Sequence, residues 1–134
     1  METVKKKPKI KLKIIKEDLG YTALGQWRNR SLVTCGDNWD ELRQMIIEML
    51  NLAFEDLGYT YIIDEIQFEF DLESFFDFYK VINAKALSER IGMSQSLLAQ
   101  YINGNKKPSA LQTKRILLGV QQLGRELAEV RFLL

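Results

Sequence analysis

One segment in the C-terminal half carries side chains that could read DNA bases. On a predicted helix, Gln95, Ser96 and Gln100 fall on one side, whereas Leu98 and Tyr101 fall on the other. A glutamine amide can both donate to and accept from an adenine edge, and a hydroxyl can pair with several bases. A helix that buries one apolar edge and exposes such groups is suited to the major groove of DNA.

Local signals in the sequence position this helix. Asn83 can cap an earlier helix that carries Leu87 and Ile91 on one face. Ser94 can cap the helix that follows, and Gly92 supplies the backbone freedom for a sharp turn between the two. The segment therefore predicts two short crossed helices, followed by a basic loop.

The spacing around the turn resembles the helix-turn-helix of the phage-repressor (Xre/Cro) family. A glycine and four apolar residues stand at the positions that two crossed helices need, and the next loop matches the loop after that family's recognition helix. The resemblance covers roughly residues 74–122. The matching residues are Leu87, Ile91, Gly92, Leu98, Tyr101 and the run Asn103-Gly104-Asn105-Lys106-Lys107-Pro108-Ser109.

This resemblance implies which residues contact DNA. Gln95, Ser96 and Gln100 would contact base edges or the groove, and the loop residues would contact phosphate. Ala84 stands where the family often places a phosphate-binding glutamine, so Lys85 is the candidate to replace that contact. The candidate DNA-binding set is Lys85, Ser94, Gln95, Ser96, Gln100, Asn103, Lys106, Lys107 and Lys114.

The N-terminal half has the pattern of a sheet packed on a helix. Lysine and aliphatic residues alternate over Lys9–Ile15, and the runs Tyr21–Trp27 and Ser31–Cys35 predict two further strands. Residues 66–70 alternate again and predict a fourth strand.

A long amphipathic helix is predicted between the third and fourth strands. Asn38 with Glu41 three positions later predicts a capping box, and Gly58 would end the helix. The apolar stripe that would cover the sheet is Leu42, Met45, Ile46, Met49, Leu50, Ala53 and Leu57.

The predicted fold class is α+β. A flexible basic tail over residues 1–8 precedes a β-β-β-α-β domain over residues 9–71, and an all-α helix-turn-helix domain follows over residues 72–134. In the second domain, the first helix begins near Leu72 and is capped by Asp71 or Ser74. After the crossed helices, Ser109 caps a helix bearing Leu111, Ile116 and Leu117, and a separate last helix is predicted near residues 121–130.

The N-terminal half resembles the HicB antitoxin domain. A Gly20-Tyr21 hairpin, the run Val33–Asn38 and Glu41-Leu42 follow one another in that family's order, with Asn38 in place of a capping threonine. The resemblance implies a partial RNase-H-like fold without catalysis. It also implies binding of a HicA-like toxin, a small basic RNA-cleaving protein, and repression of the antitoxin's own operon by a homodimer or higher homo-oligomer on operator DNA.

Charge is strongly segregated along the chain. Residues 36–77 carry twelve acidic residues and one basic residue, whereas the segments before and after each carry nine basic and three acidic residues. An acidic surface is complementary to a basic partner, although such a block can also be an ordinary solvated face. The candidate toxin-binding residues are Asp37, Asp40, Asp64, Glu65 and Glu69.

Composition argues against enzyme and membrane classes. The chain has no histidine and one cysteine, Cys35, so it lacks the usual general base and the partners for a disulfide or zinc site. The first strand lacks the carboxylate that a metal-dependent nuclease of RNase-H-like fold needs there. We therefore expect no catalysis, metal or cofactor. No apolar run approaches the length of a membrane span, so a cytoplasmic protein without a membrane partner is expected.

Several alternatives remain open from the sequence. The chain could be a stand-alone helix-turn-helix regulator whose first domain senses a small molecule or dimerises. It could also be a degraded nuclease-like enzyme, or the second domain could be a four-helix bundle whose polar face is only solvated. Arg131–Leu134 could be helical, form a strand or belong to an oligomer contact.

Overall fold

The computed structural model describes residues 6–134 and has an α+β fold. Two compact units are present, one extending to Ser74 and the other running from Phe75 to Leu134. This division falls slightly after the predicted boundary at residue 71. Residues 1–5, which belong to the predicted flexible tail, lie outside the described residues.

The first unit is a four-stranded mixed sheet with a helix on one face. Strands β1 (Ile10–Lys16), β2 (Tyr21–Trp27) and β3 (Arg30–Gly36) form an antiparallel meander, and β4 (Ile66–Phe70) pairs in parallel with β1. The strand order is β3-β2-β1-β4. The parallel neighbours β1 and β4 need a crossover connection. Helix α1 (Trp39–Ala53), which lies between β3 and β4 in the chain, is part of that connection. The four predicted strands and the β-β-β-α-β order are confirmed.

The core of this unit lies between the sheet and α1. Ile10, Leu12 and Ile14 are buried on one face of β1, and the lysines that alternate with them are exposed on the other face. From Ile10 to Ile14, burial therefore alternates with the period of two that a half-buried strand predicts. Helix α1 contributes three buried side chains, Leu42, Ile46 and Leu50.

Helix α1 ends earlier than predicted. It stops at Ala53, and Leu57 belongs to a separate 3-10 turn, Glu55–Leu57. Gly58 ends that turn, not the helix, with a φ of +78°. The prediction was wrong because the apolar spacing of three and four continues across the change from α to 3-10 hydrogen bonding. Met45, assigned to the buried stripe, is 38% exposed.

Two residues that precede β1 make tertiary contacts that the sequence did not predict. Pro8 is buried, and its carbonyl oxygen accepts a 2.7 Å hydrogen bond from the Tyr61 hydroxyl. Lys7 lies over the Tyr61 ring. Lys7 and Pro8, which the prediction assigned to the tail, therefore contact a residue more than fifty positions away in the chain.

Four helices follow the sheet. They are α2 (Leu72–Phe78), α3 (Ala84–Ile91), α4 (Gln95–Ile102) and α5 (Ala110–Glu129). Of the two predicted caps for α2, Asp71 is the observed one, because its side chain accepts from the backbone N–H of Ser74 at 2.7 Å.

The prediction of a separate last helix is wrong. Helix α5 is a single helix of 20 residues. Gly119 and Gly124 lie inside it and lower helix propensity, but each retains a backbone N–H and so does not interrupt the helix. Arg131–Leu134 is neither helix nor strand. Within residues 6–134, none of the helices is both long and apolar enough to cross a membrane.

Candidate functional site

Backbone hydrogen bonds define the turn between α3 and α4. The Met93 N–H donates to the Ser88 carbonyl at 2.9 Å, and the Gly92 N–H donates to the Glu89 carbonyl at 3.3 Å. Gly92 has a φ of +68°, a conformation that favours glycine. This pair of bonds is a Schellman motif, and it fixes the direction in which the chain enters α4.

Arg115 of α5 reinforces the same turn. Its Nε donates to the Ile91 carbonyl at 2.9 Å, and a terminal guanidinium nitrogen donates to the Gly92 carbonyl at 2.7 Å. The last carbonyls of a helix lack helical partners and carry partial negative charge, so a cation is favourable there. Sequence reasoning missed this residue, because nothing local reveals a contact across 24 positions.

Helix α4 has one buried and one exposed face. Leu98 and Tyr101 are 1% and 8% exposed. Gln95, Ser96 and Gln100 lie on the exposed face with Asn103 close by. Among residues 6–134, the side chains of these four residues hydrogen-bond to no other protein group. The structure therefore places the predicted base-reading groups together, with their donors and acceptors available to a ligand.

Ser94 has a different role from its neighbours. Its hydroxyl oxygen accepts from the Leu97 backbone N–H at 3.1 Å and caps α4, as predicted. Asn83 caps α3 in the same way, accepting from Ala86 at 3.0 Å. These caps satisfy N–H groups that have no partner inside the helix. Ser94 therefore positions α4, and its hydroxyl retains its proton and one lone pair for a ligand.

The loop after α4 folds back onto the end of that helix. Gly104 adopts a φ of +76°, and the Lys106 N–H donates to the Gln100 carbonyl at 3.2 Å. This bond brings the start of the basic pair Lys106 and Lys107 next to a candidate base-reading residue. Ser109 then caps α5 by accepting from the Gln112 N–H at 3.2 Å.

The cations around α4 are not neutralised by the protein. Lys85 on α3, Lys114 on α5 and the two loop lysines are exposed. Within the described part of the chain, none of these four lysines forms a salt bridge. Exposed cations without carboxylate partners are suited to phosphate contacts.

Two of the five candidate toxin-binding carboxylates are already paired within the first unit. Glu65 accepts from Lys7 at 2.7 Å and from the Ile62 N–H at 3.0 Å. The hydrogen bond from Lys7 lowers the pKa of the Glu65 carboxyl. Glu69 on β4 lies 3.0 Å from the Lys11 ammonium group. These two residues therefore offer a partner little uncompensated charge.

The other three candidates are exposed carboxylates. Asp37, Asp40 and Asp64 form no salt bridge with any residue in the range 6–134. Asp40 lies at an open groove of about 500 Å³ between the outer side of α1 and the segment before β4. The remaining lining residues of that groove are Arg43, Gln44, Ile47, Tyr61, Ile62 and Ile63.

Sequence reasoning missed acidic residues on the outer face of α1. Glu41 and Glu48 are exposed there, next to the exposed apolar side chains of Met45 and Leu52. The four residues recur at spacings of four, three and four, so they lie along one side of the helix. The helical period, applied to the outer face of α1, would have identified them.

The two N-terminal motifs of the HicB resemblance contact one another. Gly20 has a φ of +79°, and a side chain there would overlap the carbonyl oxygen of Gly36. The turn at Gly36 leads into Asn38, whose side chain accepts from the Glu41 N–H at 2.9 Å and caps α1. The hairpin and the start of α1 therefore form one packed unit.

No group of three or more histidine, cysteine, aspartate or glutamate side chains within residues 6–134 could hold a metal ion. Cys35 is an exposed free thiol on β3.

Comparisons with protein-family models, with curated proteins and with solved structures found no match to this chain.

Proposed function

We propose that this protein is a HicB-like antitoxin that also represses its own operon. In this proposal, α4 reads operator DNA as part of a homodimer or higher homo-oligomer. The first unit binds a small basic HicA-like toxin. The observation that carries the proposal is the exposed face of α4, where unpaired amides and a hydroxyl adjoin exposed lysines.

In this proposal, different residues around α4 hold the helix in place, attract the DNA backbone and contact the bases. Leu98 and Tyr101 anchor the helix, and the lysines at the ends of the neighbouring elements supply the salt-dependent attraction to phosphate. Gln95 and Gln100 have both a donor and an acceptor on each amide, which is what discrimination between base pairs requires. A helix with this division of roles is typical of proteins that bind the major groove.

The DNA-binding half is tested with a duplex selected from a random library by the wild-type protein. The double variant Gln95→Ala, Gln100→Ala is expected to reduce discrimination between that duplex and random DNA by roughly 1–3 kcal/mol for each glutamine replaced. Both side chains are exposed, so the fold is expected to persist, which circular dichroism checks. Binding curves for the two duplexes give the ratio of affinities.

The matched control changes charge and leaves the reading face intact. Replacing Lys106 and Lys107 by alanine is expected to weaken binding to both duplexes equally. It should also reduce the slope of log affinity against log salt by about 0.9 for each phosphate that a lysine no longer neutralises. An unchanged affinity ratio in the glutamine variant would contradict the assignment of α4 as the reading helix.

The toxin-binding half is supported by the unpaired carboxylates on and near α1. A basic partner would gain more from Asp40, which has no cation partner in residues 6–134, than from Glu69, which Lys11 already neutralises. The test is co-purification with the product of the adjacent gene, together with rescue of the growth arrest that this product causes. Asp40→Asn is expected to slow association more than its control, Glu69→Gln.

A second outcome of these tests identifies the alternative function. If the chain binds its selected duplex but neither captures nor neutralises the adjacent product, it is a stand-alone regulator. In that case the first unit would sense a small molecule or dimerise.

A further inference from the structure

Helix α5 carries two different apolar lines. One of them packs inside the second unit: Ile116 is 1% exposed, and a side chain at Gly119 would overlap Ile91 of α3. The other line is only partly covered within residues 6–134: its two leucines are 51% and 62% exposed, and its valine is half-buried. We call this second line the α5 seam; its residues are Leu117, Val120, Gly124 and Leu127.

No contact within residues 6–134 explains the glycine in the α5 seam. A glycine in a helix interior costs about 1 kcal/mol relative to alanine. Gly119 is explained by the close approach of α3. At Gly124 the backbone is helical, and a side chain would meet no atom within 4 Å. A second helix that passes close to this point would explain why a side chain is absent there.

We propose that the α5 seam is a dimer interface formed with a second copy of this chain. Seam residues recur at spacings of three, four and three, which is the pattern by which two helices pack. In a two-fold dimer the residue nearest the axis meets its own copy. Gly124 at that point lets the two backbones approach, and no seam residue carries a charge that would face a like charge.

The exposed apolar residues on and after α5 also suit an interface with a second copy of the chain. A stable interface buries about 800 Å² on each partner, which is more than the roughly three helical turns of the seam supply alone. Phe132, Leu133 and Leu134 lie three to five residues beyond the end of α5 and are almost fully exposed, with relative exposures of 86% or more. Together with Val130, which is 46% exposed, they provide further apolar area next to the seam.

This inference rests on the proposed homo-oligomer but not on its DNA or toxin. Self-association of the pure chain is measured without either partner. A failure of DNA binding and a failure of the α5 seam therefore give different results.

The first test compares two substitutions on the same helix. Gly124→Glu places a charge at the two-fold axis, whereas Gln122→Glu places the same charge on another side of α5 and keeps an acceptor for Arg125. In sedimentation velocity, the wild type and Gln122→Glu are expected to be dimers. The dimer dissociation constant of Gly124→Glu should rise at least tenfold. A monomeric wild type, or a Gly124→Glu variant that dimerises like the wild type, would overturn the proposal.

A cross-linking test detects the two-fold axis directly and does not depend on disrupting the dimer. In a Cys35→Ser background, Gly124→Cys is expected to form a disulfide-linked dimer under mild oxidation, because a disulfide needs Cα atoms only about 4.4–6.8 Å apart. Gln122→Cys in the same background should remain monomeric on a denaturing gel. Equal cross-linking of the two variants would show that Gly124 is not near the axis.

Discussion

Gly20→Ala is expected to destabilise the first unit clearly more than Gly58→Ala. The two glycines have nearly identical φ values of +79° and +78°. Each alanine therefore has the same cost for a left-handed backbone, about 1–2 kcal/mol. The change in the unfolded chain is also the same for both, so the difference between the variants isolates packing.

The packing around the two glycines differs sharply. A side chain at Gly58 meets no atom within 4 Å, whereas one at Gly20 would overlap the Gly36 carbonyl and lie 2.9 Å from the Asp37 Cα atom. Both obstacles are backbone, so the hairpin must move away from the start of α1. Overpacking of this kind costs about 1–3 kcal/mol. We expect a total of about 2–5 kcal/mol for Gly20→Ala and about 1–2 kcal/mol for Gly58→Ala.

Tryptophan fluorescence during urea unfolding measures this difference selectively. The two tryptophans of the chain are Trp27 and Trp39, and both belong to the first unit. The signal therefore follows that unit even if the second unit unfolds separately. Equal destabilisation by the two substitutions, within about 0.5 kcal/mol, would refute the view that packing of the hairpin on the start of α1 holds the unit together.

Two further predictions concern side chains with partners distant in sequence. Burial raises the pKa of Tyr61 to about 12, so the folded state favours the neutral phenol. The contribution of Tyr61 to the free energy of unfolding should therefore be constant below pH 10 and fall as the pH rises from about 10 toward 12. Tyr61→Phe should remove that loss in tryptophan-detected unfolding at pH 9–11, while costing about 1 kcal/mol at neutral pH for the hydrogen bond to Pro8. Arg115→Ala should destabilise the second unit by about 1–3 kcal/mol in thermal unfolding followed by circular dichroism, because two carbonyls at the end of α3 lose a charged donor. Its control, Arg125→Ala, loses only a bond to Gln122 and should change stability by less than about 0.5 kcal/mol.

The features predicted from the sequence are those that depend on near neighbours. Each of these features involves residues that are only a few positions apart: the alternation in β1, the turn at Gly92, and the helix caps at Asn38, Asn83 and Ser94. Arg115 reaches α3 across 24 positions, and Lys7 reaches Glu65 across 58. No local period encodes such pairs, so sequence reasoning could neither find Arg115 nor recognise that Glu65 is already paired.

Errors in helix length have a related physical origin. Apolar spacing does not distinguish an α-helix from a following 3-10 turn, so the period extends α1 past Ala53, where the helix in fact ends. Glycines at 119 and 124 favour a break, yet the backbone of α5 continues through both. Packing on α3 explains the first glycine, and that proximity is visible only in three dimensions.

The first unit has a sheet layer and a helix layer whose outer surfaces carry opposite charges, so it has an electric dipole across the two layers. Alternation in β1 sends Lys11 and Lys13 to the face of the sheet opposite α1, while the outer side of α1 carries Asp40, Glu41 and Glu48. A basic protein is therefore drawn to the outer side of α1 and a polyanion to the opposite face, where the pairing of Lys11 with Glu69 weakens the attraction. Because exposed charges are screened over about 8 Å at physiological ionic strength, each attraction acts mainly at close range. Occupation of one face then leaves the field at the other largely unchanged.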